Sequence, residues 1–504
     1  MDKLKRTIFF WTLVALFIIV APAIVLNATG YRFDFDRGVF VHSGTITLKA
    51  NPDNFSVIID GEMESPAKIN RMNSSYNLTG LIPRQYHISL SAPGFQKWEK
   101  SATIHSGLST EFWNILLVRN NYEKTPYRTG GAEKFFVSPK SSQIILTRTD
   151  TSGTGVQILN IKNKTIEKNF HFAGWRLADD ERRENIEWSP QEDRLSVPLQ
   201  RSIPVFTTSK LDKNASKVEM ETEYSYFIIN PVSKESFNLN EFLGKKEIKN
   251  VRWDPKDKNY LFFMHQDDLL RAHISNREDI ARIASDVSCF DISKSNVYWA
   301  QRPNEMVFKA NLDGSSKTQI TYDFPAEIAE PNERLIVYDD SRIAFLNTNK
   351  DLFIYNKGEA GSYFKKIASG GEGIQFSDDG KKLLFWTNNE LSVYFLRKWT
   401  VQPERNEDDI QNITRYSEQL KNVQWHKDYE HVIFSVGPDI KIIELDARDR
   451  RITMDILKTE ISTPFITYVH NLERVFFTDK KETGSGSDIH SIIFPESTSI
   501  LGIR

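Results

Sequence analysis

Four aspartates follow short apolar segments in this sequence and are the side chains best suited to acid–base chemistry. They are Asp254, Asp291, Asp340 and Asp378. Two or three carboxylates that converge on one face of a protein can act as the general acid and base of a glycan hydrolase or lyase. Each aspartate also lies in a segment typical of a turn, where Asp hydrogen-bonds its own backbone. These positions favour turn capping over catalysis.

Three other short motifs resemble catalytic or ligand-binding loops, and each lacks a required part. Gly484 to His490 contains serines and a histidine, but strands flank it, whereas a nucleophile elbow needs a strand, a turn and a helix. Gly370 to Gly373 lacks the Lys-Ser/Thr ending and the following helix of a phosphate loop. Asp150 to Gly153 lacks the spaced carboxylates and final Glu of a calcium loop. We interpret the first as a hairpin loop and the second as a turn between repeated units.

Histidine and cysteine usage indicates no metal or thiol chemistry. The ten histidines show no His-x-His or His-Glu-x-x-His motif. The single cysteine, Cys289, lies in the apolar stretch Val287 to Phe290, which predicts a buried and inert thiol. The sequence therefore predicts no catalytic, cofactor-binding or metal-binding residue, no cofactor, and a protein that is not an enzyme.

One apolar segment near the N-terminus predicts a membrane anchor. Ile8 to Leu26 comprises 19 uncharged residues and follows Lys3, Lys5 and Arg6. About 20 apolar residues in a helix cross a bilayer core, and the flanking positive charges stay on the cytoplasmic side. The predicted order is a cytoplasmic tail (1–7), a transmembrane helix (8–26) and an extracytoplasmic juxtamembrane segment (27–39). This makes it a single-pass cell-membrane protein with most of the chain outside the cytoplasm.

The same segment has two alternative interpretations, a cleaved signal peptide and a buried helix of a soluble domain. Ala21-Pro22-Ala23 resembles a cleavage site. However, the apolar run continues beyond it and is longer than the roughly 7 to 15 residues of a signal-peptide core. Aromatic residues between Tyr31 and Phe35 suit the boundary between membrane and water. We therefore favour a retained anchor.

Composition predicts no nucleic-acid partner and indicates an all-β structure outside the membrane. The net charge is −2 and the pI is about 6.6, so no global positive field attracts nucleic acid. Aromatic residues make up 12% of the chain, and long helical patterns are scarce after the apolar segment. Because one cysteine cannot form an intramolecular disulfide, an exported chain of this kind must be stabilised by packing.

Residues 40–120 show alternating strands and turns that predict a small β-sandwich. The predicted strands are 45–48, 56–59, 86–90, 98–104 and 113–118. Asp60-Gly61 is a hairpin turn signal between the second strand and the next segment.

This segment resembles the PEGA domain, a small β-sandwich of exported bacterial and archaeal proteins. The resemblance rests on Gly44-x-Ile46-x-Leu48, Asn51-Pro52, Val57-x-Ile59-Asp60-Gly61, Pro66, Leu81, Pro83, Tyr86, Leu90, Pro93-Gly94-Phe95 and Trp98. Asp53 to Phe55 replace the Glu-Gly-Ala of the eponymous quartet, and Arg84-Gln85 stand where the family usually has a glycine before the tyrosine. The resemblance implies an envelope module without catalytic activity.

A weak repeat extends over residues 125–504. Each unit has an aromatic or apolar anchor residue, a polar turn and an apolar strand; the anchors are Val137, Trp188, Trp253, Phe290, Tyr338, Phe376, Trp425 and Tyr468. Their mean spacing of about 47 residues is the size of a four-stranded propeller blade. The sequence predicts a mainly β protein with a β-propeller of eight blades. Seven blades is the alternative, because the units at Cys289 and Tyr468 are weak.

The repeated units resemble Tol-type and WD-repeat-like propellers. The resemblance rests on Trp188-Ser189-Pro190, Phe376 to Lys381, and Asn311 to Ser315 followed by Gln319-Ile320-Thr321. Two polar insertions interrupt the repeat, Phe206 to Thr222 and Val401 to Tyr416. We predict exposed loops for both, with a short surface helix as an alternative for the second.

The function predicted from these features is a membrane-anchored extracytoplasmic binding or scaffold protein of the cell envelope. Residues 8–26 would contact the membrane, and the propeller would recognise an envelope protein or a cell-wall or surface polymer through its concave faces. One alternative is a carbohydrate-active lyase or hydrolase that uses the propeller channel. Another is a sensor that acts through a membrane partner. The oligomeric state is left open.

Overall fold

The computed structural model describes residues 3–65, 69–70, 75–127, 129–178, 186–208, 216–322, 331–359, 361–481 and 486–495. It is mainly β, with an apolar N-terminal helix, as the sequence predicts. Pro66 of the PEGA resemblance and Gly484 and Ser485 of the serine motif lie outside the described residues.

Helix α1 (Lys3–Ala28) covers the entire apolar segment and includes Pro22. None of its residues is buried, and it is long and apolar enough to cross a membrane. A two-stranded hairpin follows, formed by β1 (Tyr31–Asp34) and β2 (Val39–His42). The guanidinium of Arg32 donates to the carbonyl of Asn27 over 3.0 Å, which satisfies one of the unpaired carbonyls at the end of the helix.

Residues 44–116 form two four-stranded sheets. The first has the order β10-β3-β7-β6 and the second β5-β4-β8-β9. The strands are β3 (Gly44–Asn51), β4 (Ser56–Ile59), β5 (Glu62–Met63), β6 (Ile69–Asn70), β7 (Ser75–Leu81), β8 (Gln85–Ser91), β9 (Trp98–Thr103) and β10 (Ser109–Leu116). Strand β4 has the predicted bounds, and β3, β8 and β9 contain or overlap their predicted segments. Strand β10 begins before the predicted 113–118, and β7 was not predicted.

After β11 (Thr125–Tyr127), the described chain forms a series of antiparallel sheets in which consecutive strands are neighbours. The first four sheets contain β12 (Lys134–Val137), β13 (Gln143–Thr149), β14 (Gly153–Asn160) and β15 (Thr165–Ala173); β16 (Arg176–Leu177), β17 (Glu187–Trp188), β18 (Leu195–Thr208), β19 (Ser216–Asn230) and β20 (Glu235–Asn238); β21 (Ile248–Trp253), β22 (Tyr260–His265), β23 (Asp268–His273) and β24 (Asn276–Ala284); and β25 (Val287–Ile292), β26 (Asn296–Gln301), β27 (Met306–Asn311) and β28 (Thr318–Gln319). A short helix, α2 (Leu239–Leu243), follows β20.

Four further sheets complete the series. They contain β29 (Asn332–Asp339), β30 (Arg342–Asn347), β31 (Leu352–Gly358) and β32 (Gly361–Ala368); β33 (Gly373–Phe376), β34 (Lys382–Trp386), β35 (Glu390–Phe395) and β36 (Ile410–Arg415); β37 (Leu420–Trp425), β38 (His431–Val436), β39 (Asp439–Glu444) and β40 (Thr453–Lys458); and β41 (Ile466–Val469), β42 (Arg474–Lys480) and β43 (Ser487–Ile493). A 3-10 turn, His470–Leu472, links β41 to β42. The eight anchor residues of the predicted repeat lie in β12, β17, β21, β25, β29, β33, β37 and β41, each in a different sheet.

The sheets close into a ring because the two ends of this region pair. Strand β11 pairs antiparallel with β43 as the outer strand of the last sheet, with Thr125 opposite Ser491 and Tyr127 opposite Ile489. Apolar side chains of the first and last sheets form one cluster that includes Phe135 and Phe476. Each sheet shares such a cluster with the next, so every sheet buries both faces without a disulfide. This architecture is a β-propeller.

The prediction of exposed loops is wrong in part for both insertions, because strand pairing extends into each of them. Strands β18 and β19 form a long ladder that runs to Thr208 opposite Ser216, so both described ends of the first insertion are strands; residues 209–215 lie outside the described residues. In the second insertion, residues 410–415 form β36, the fourth strand of its sheet. Hydrogen bonding between neighbouring backbones favours strands here although the side chains are polar.

Candidate functional site

A cavity of about 710 Å³ lies among five of the propeller sheets. Residues of β17, β21, β25, β29 and β33 line it, so these are the inner strands of their sheets. The lining combines charged side chains, including Glu187, Arg252 and Asp291, with apolar and aromatic ones such as Ile336 and Phe376. Concave, mixed surfaces of this size are typical of ligand-binding sites.

Three charged side chains connect neighbouring inner strands along the wall of this cavity. Arg252 Nε lies 3.0 Å from Glu187 Oε1, and Arg252 Nη1 lies 2.9 Å from Asp291 Oδ1. The second oxygen of Glu187 accepts from the backbone N–H of Trp253, and the second oxygen of Asp291 accepts from that of Val337. Each carboxylate therefore pairs with Arg252 through one oxygen and accepts a backbone hydrogen bond from the next sheet through the other.

Glutamines make the same contact elsewhere in the ring. Gln375 Oε1 accepts from the N–H of Trp425, and Gln424 Oε1 accepts from the N–H of Tyr468. Like Glu187, each glutamine stands immediately before an anchor residue and contacts the next sheet. Since an uncharged amide fills the same position, the common role of these side chains is to join adjacent sheets.

Burial and ion pairing shift the pKa values of Glu187 and Arg252. Burial raises the pKa of Glu187 above its usual value, and the guanidinium of Arg252 only partly offsets this. Burial alone would lower the pKa of Arg252, but the carboxylates of Glu187 and Asp291 outweigh it and raise that pKa. Arg252 is thus a permanent cation between two acids.

The four aspartates of the sequence analysis have different roles. Asp254 caps its own turn as predicted, because Oδ1 accepts from the N–H groups of Lys256 and Asp257. The prediction of turn capping is wrong for the other three, whose carboxylates contact neighbouring sheets. Asp291 binds Arg252, Asp340 accepts from Tyr298 and Lys309, and Asp378 bonds with Tyr429.

The described residues of the three short motifs have structural contacts. Ser487 donates to the carbonyl of Ala132, whereas His490 stacks on Phe477. Gly370 to Glu372 connect β32 to β33, which begins at Gly373, and this confirms a turn between successive sheets. Asp150 accepts from the N–H groups of Ser152 and Gly153 within the β13–β14 turn.

Cys289 is buried as predicted. Burial raises the pKa of its thiol well above the usual value, so the thiol stays protonated and unreactive at neutral pH.

The sequence analysis missed one cluster of possible metal ligands. His426, Asp428 and His431 place their donor atoms within 4.8 Å of one another, the one such group of three among the described residues. The spacing His-x-Asp-x-x-His follows β37 and enters β38, so a tight turn between two strands brings the three side chains together. That spacing matches neither His-x-His nor His-Glu-x-x-His, although a turn signal around Asp428 is visible in the sequence.

A buried interface joins the sandwich to the seventh sheet of the propeller. Trp98 Nε1 donates to Glu444 over 3.2 Å, and Lys100 Nζ lies 2.6 Å from the other oxygen of Glu444. The guanidinium of Arg448 stacks on Phe112 and donates to the carbonyl of Glu111. Sandwich and propeller side chains form one continuous apolar cluster here. The interface between the two sets of sheets therefore combines apolar packing with buried polar contacts.

A second apolar surface lies on the hairpin after α1. Phe33 contacts both Phe35 and Phe40 edge to face, with ring centroids 5.1 Å apart in each pair. Phe35 is 86% exposed and Phe40 is 51% exposed. Aromatic clusters exposed to this degree mark surfaces that contact a membrane or a partner.

Comparisons with known proteins identify only distant structural likenesses. No family model matches the chain, and no curated protein matches it. Solved β-propeller structures are similar, among them a eukaryotic initiation factor (11% identity, 72% of this chain and 87% of that chain covered, TM-score 0.44). Others are Sqt1 of Saccharomyces cerevisiae (10%, 75% and 100%, TM-score 0.42) and an oligogalacturonate lyase in complex with manganese (11%, 73% and 99%, TM-score 0.37).

Proposed function

We propose that this protein is a single-pass, membrane-anchored scaffold of the cell envelope. Helix α1 holds it in the membrane with Lys3, Lys5 and Arg6 on the cytoplasmic side. A PEGA-like sandwich spaces an eight-bladed propeller from the membrane. The propeller binds an extracytoplasmic protein or a cell-wall or surface polymer.

The buried ion pair between Lys100 and Glu444 is the observation that carries this proposal. A binding module on a flexible tether needs no such contact, whereas a spacer that fixes height and orientation does. Buried charges are expensive to desolvate, so their pairing at the interface favours one defined arrangement of the two domains. The arrangement suits a protein whose role is to hold a binding surface at a set position.

The exposed aromatic hairpin adds a second contact with the membrane. It begins three residues after α1 ends and therefore lies at the level where helix and bilayer interface meet. Phe35 and Phe40 would insert among the lipid headgroups, which limits the tilt of the attached sandwich. The bilayer is the occupant favoured by this continuity with the anchor.

Binding is favoured over catalysis because the acids of the cavity have structural partners. Glu187 and Asp291 join sheets in the manner of Gln375 and Gln424, and Arg252 neutralises both. The cavity wall still presents aromatic and apolar side chains for recognition, including Phe376 and Ile336.

Site-specific photo-crosslinking tests the binding role. A photoreactive phenylalanine replaces Phe376 in the full chain, which is expressed and irradiated in intact cells. We expect an adduct with an envelope protein or glycan at this position. The matched control position is Val232, which is 76% exposed in a turn remote from the cavity. Equal adducts at both positions, or release of sugar from envelope glycans by the purified chain, would contradict the proposal.

Membrane topology is tested separately by thiol labelling. Cysteines are introduced at Lys3 or Val232 in a Cys289→Ser background. An impermeant maleimide should label the Val232 position in intact cells and the Lys3 position only after the membrane is opened. Labelling of the Lys3 position in intact cells would exclude the proposed orientation.

A further inference from the structure

We propose that His426, Asp428 and His431 form a binding site for a divalent transition-metal ion, with Zn²⁺ as the best match. Two imidazoles and one carboxylate are a donor set that Zn²⁺ accepts with a fourth position for water. This site is independent of the proposed scaffold function. It lies in the turn between β37 and β38, beside the seam between the seventh and last sheets.

The distances between the donor atoms suit a small ion. His431 Nδ1 lies 2.8 Å from Asp428 Oδ2, and His426 Nδ1 lies 3.1 Å from Asp428 Oδ1. Ligand atoms around a tetrahedral zinc, each about 2.0 to 2.2 Å from it, are roughly 3.4 Å apart. Reaching that spacing requires the carboxylate oxygens to move away from the two imidazoles by roughly 0.3 to 0.6 Å. It also requires a closer approach of the two imidazoles, whose nitrogens lie within 4.8 Å of each other.

His426 supplies an independent reason to expect a ligand. Its side chain is 2% exposed and lies 3.1 Å from Asp428 through Nδ1, yet neither ring nitrogen has a hydrogen-bond partner. The hydroxyl of Tyr468, whose ring stacks on His426 at 5.2 Å, is also buried without a partner. Buried polar atoms normally find partners, and an ion at this position would satisfy the imidazole.

The surrounding structure holds the carboxylate in place for this role. Asp428 Oδ1 accepts from the N–H groups of Glu430 and His431, which fixes the rotamer of Asp428 without using Oδ2 for the backbone. Such contacts behind a ligand orient it toward the metal. The side chain of Asp428 is 24% exposed, so an ion can reach the site from solvent.

Direct metal binding tests the proposal. The full chain, purified in detergent and stripped with a chelator, is dialysed against Zn²⁺ and its metal content measured by mass spectrometry. We expect one ion per chain and a rise in melting temperature. Replacement by Co²⁺ should give the absorption bands of a low-symmetry nitrogen and oxygen site.

Variants locate the ion. His426→Gln and His431→Gln should each weaken Zn²⁺ binding by at least about 100-fold and abolish the Zn²⁺-dependent rise in melting temperature. His470→Gln is the matched control, because the ring of His470 contacts Tyr468 but lies outside the donor set. Should either ligand variant fail to fold, Asp428→Asn provides a third test. No bound ion in the wild type, or equal affinity in wild type and correctly folded ligand variants, would overturn the proposal.

Discussion

Lys100 of the sandwich and Glu444 of the propeller form an ion pair that is almost entirely shielded from water. Their charged atoms are 2.6 Å apart, and the side-chain exposures are 0% and 7%. Glu444 also accepts from Trp98 and from the N–H of Ile452. One carboxylate therefore connects two domains and orders the adjacent loop.

Removing one partner of this pair should destabilise the protein strongly. Lys100→Met leaves Glu444 buried without its cation, so the free energy of unfolding should fall by about 3–5 kcal/mol. The double variant Lys100→Met, Glu444→Gln should recover part of this loss. Denaturant unfolding in detergent measures the effect.

Lys97→Met is the matched control, because Lys97 pairs with Glu99 at the exposed surface of the same strand region. This substitution should lower the free energy of unfolding by less than about 1 kcal/mol. A similar cost for Lys97→Met and Lys100→Met would show that the buried interface does not hold the domains together.

Ring closure should depend on pH through Asp479. This buried carboxylate accepts from Lys124, just before β11, over 2.6 Å and from the N–H of Glu460. Burial alone would raise its pKa, but the ammonium of Lys124 and the backbone N–H groups outweigh burial and lower it. The stabilisation is present above the unfolded pKa of about 3.9 and is lost as pH falls through the lower folded pKa.

Asp479→Asn should therefore lower the free energy of unfolding by about 1–3 kcal/mol at neutral pH. The difference between variant and wild type should shrink below pH 4. Melting temperatures measured from pH 3 to pH 7 check this, and a constant difference over that range would exclude the mechanism.

Substitutions in the ion-pair network of the cavity should show that Glu187 has a structural role. Glu187→Gln keeps the acceptor for the N–H of Trp253, as Gln375 does for Trp425, and Asp291 still pairs with Arg252. This substitution should lower the free energy of unfolding by about 1 kcal/mol. Arg252→Met leaves two acids without their cation and should cost several-fold more in denaturant unfolding. The reverse order of the two effects would contradict a joining role for Glu187.

Substitutions in the hairpin should alter membrane contact without altering folding. Phe35→Ser in the full chain, reconstituted in lipid nanodiscs, should reduce the hydrogen-exchange protection of residues 31–42. The detergent-measured stability should stay within about 0.5 kcal/mol of wild type, because the side chain is exposed. Met220→Ser, at another exposed apolar position, should leave this protection unchanged. Unchanged protection in Phe35→Ser would place the hairpin away from lipid.

Much of the architecture could be predicted because it depends on local patterns. Each anchor residue, such as Trp253 or Trp425, begins a turn that the sequence marks clearly, and α1 follows from composition alone. Asp291 was misassigned because the same residue type caps turns and joins sheets, and only the ring geometry distinguishes these roles. The contact of Trp98 with Glu444 spans 346 residues, a separation at which a single sequence carries no pairing signal.

The separation between Trp98 and Glu444 also sets an order of events during biosynthesis. Translation delivers the sandwich first, with its tryptophan and lysine uncovered, and the seventh sheet that shields them emerges only 346 residues later. Until then the nascent chain displays an apolar face around a lone cation, the kind of surface that chaperones recognise. Premature termination before the seventh sheet is complete would make that exposure permanent.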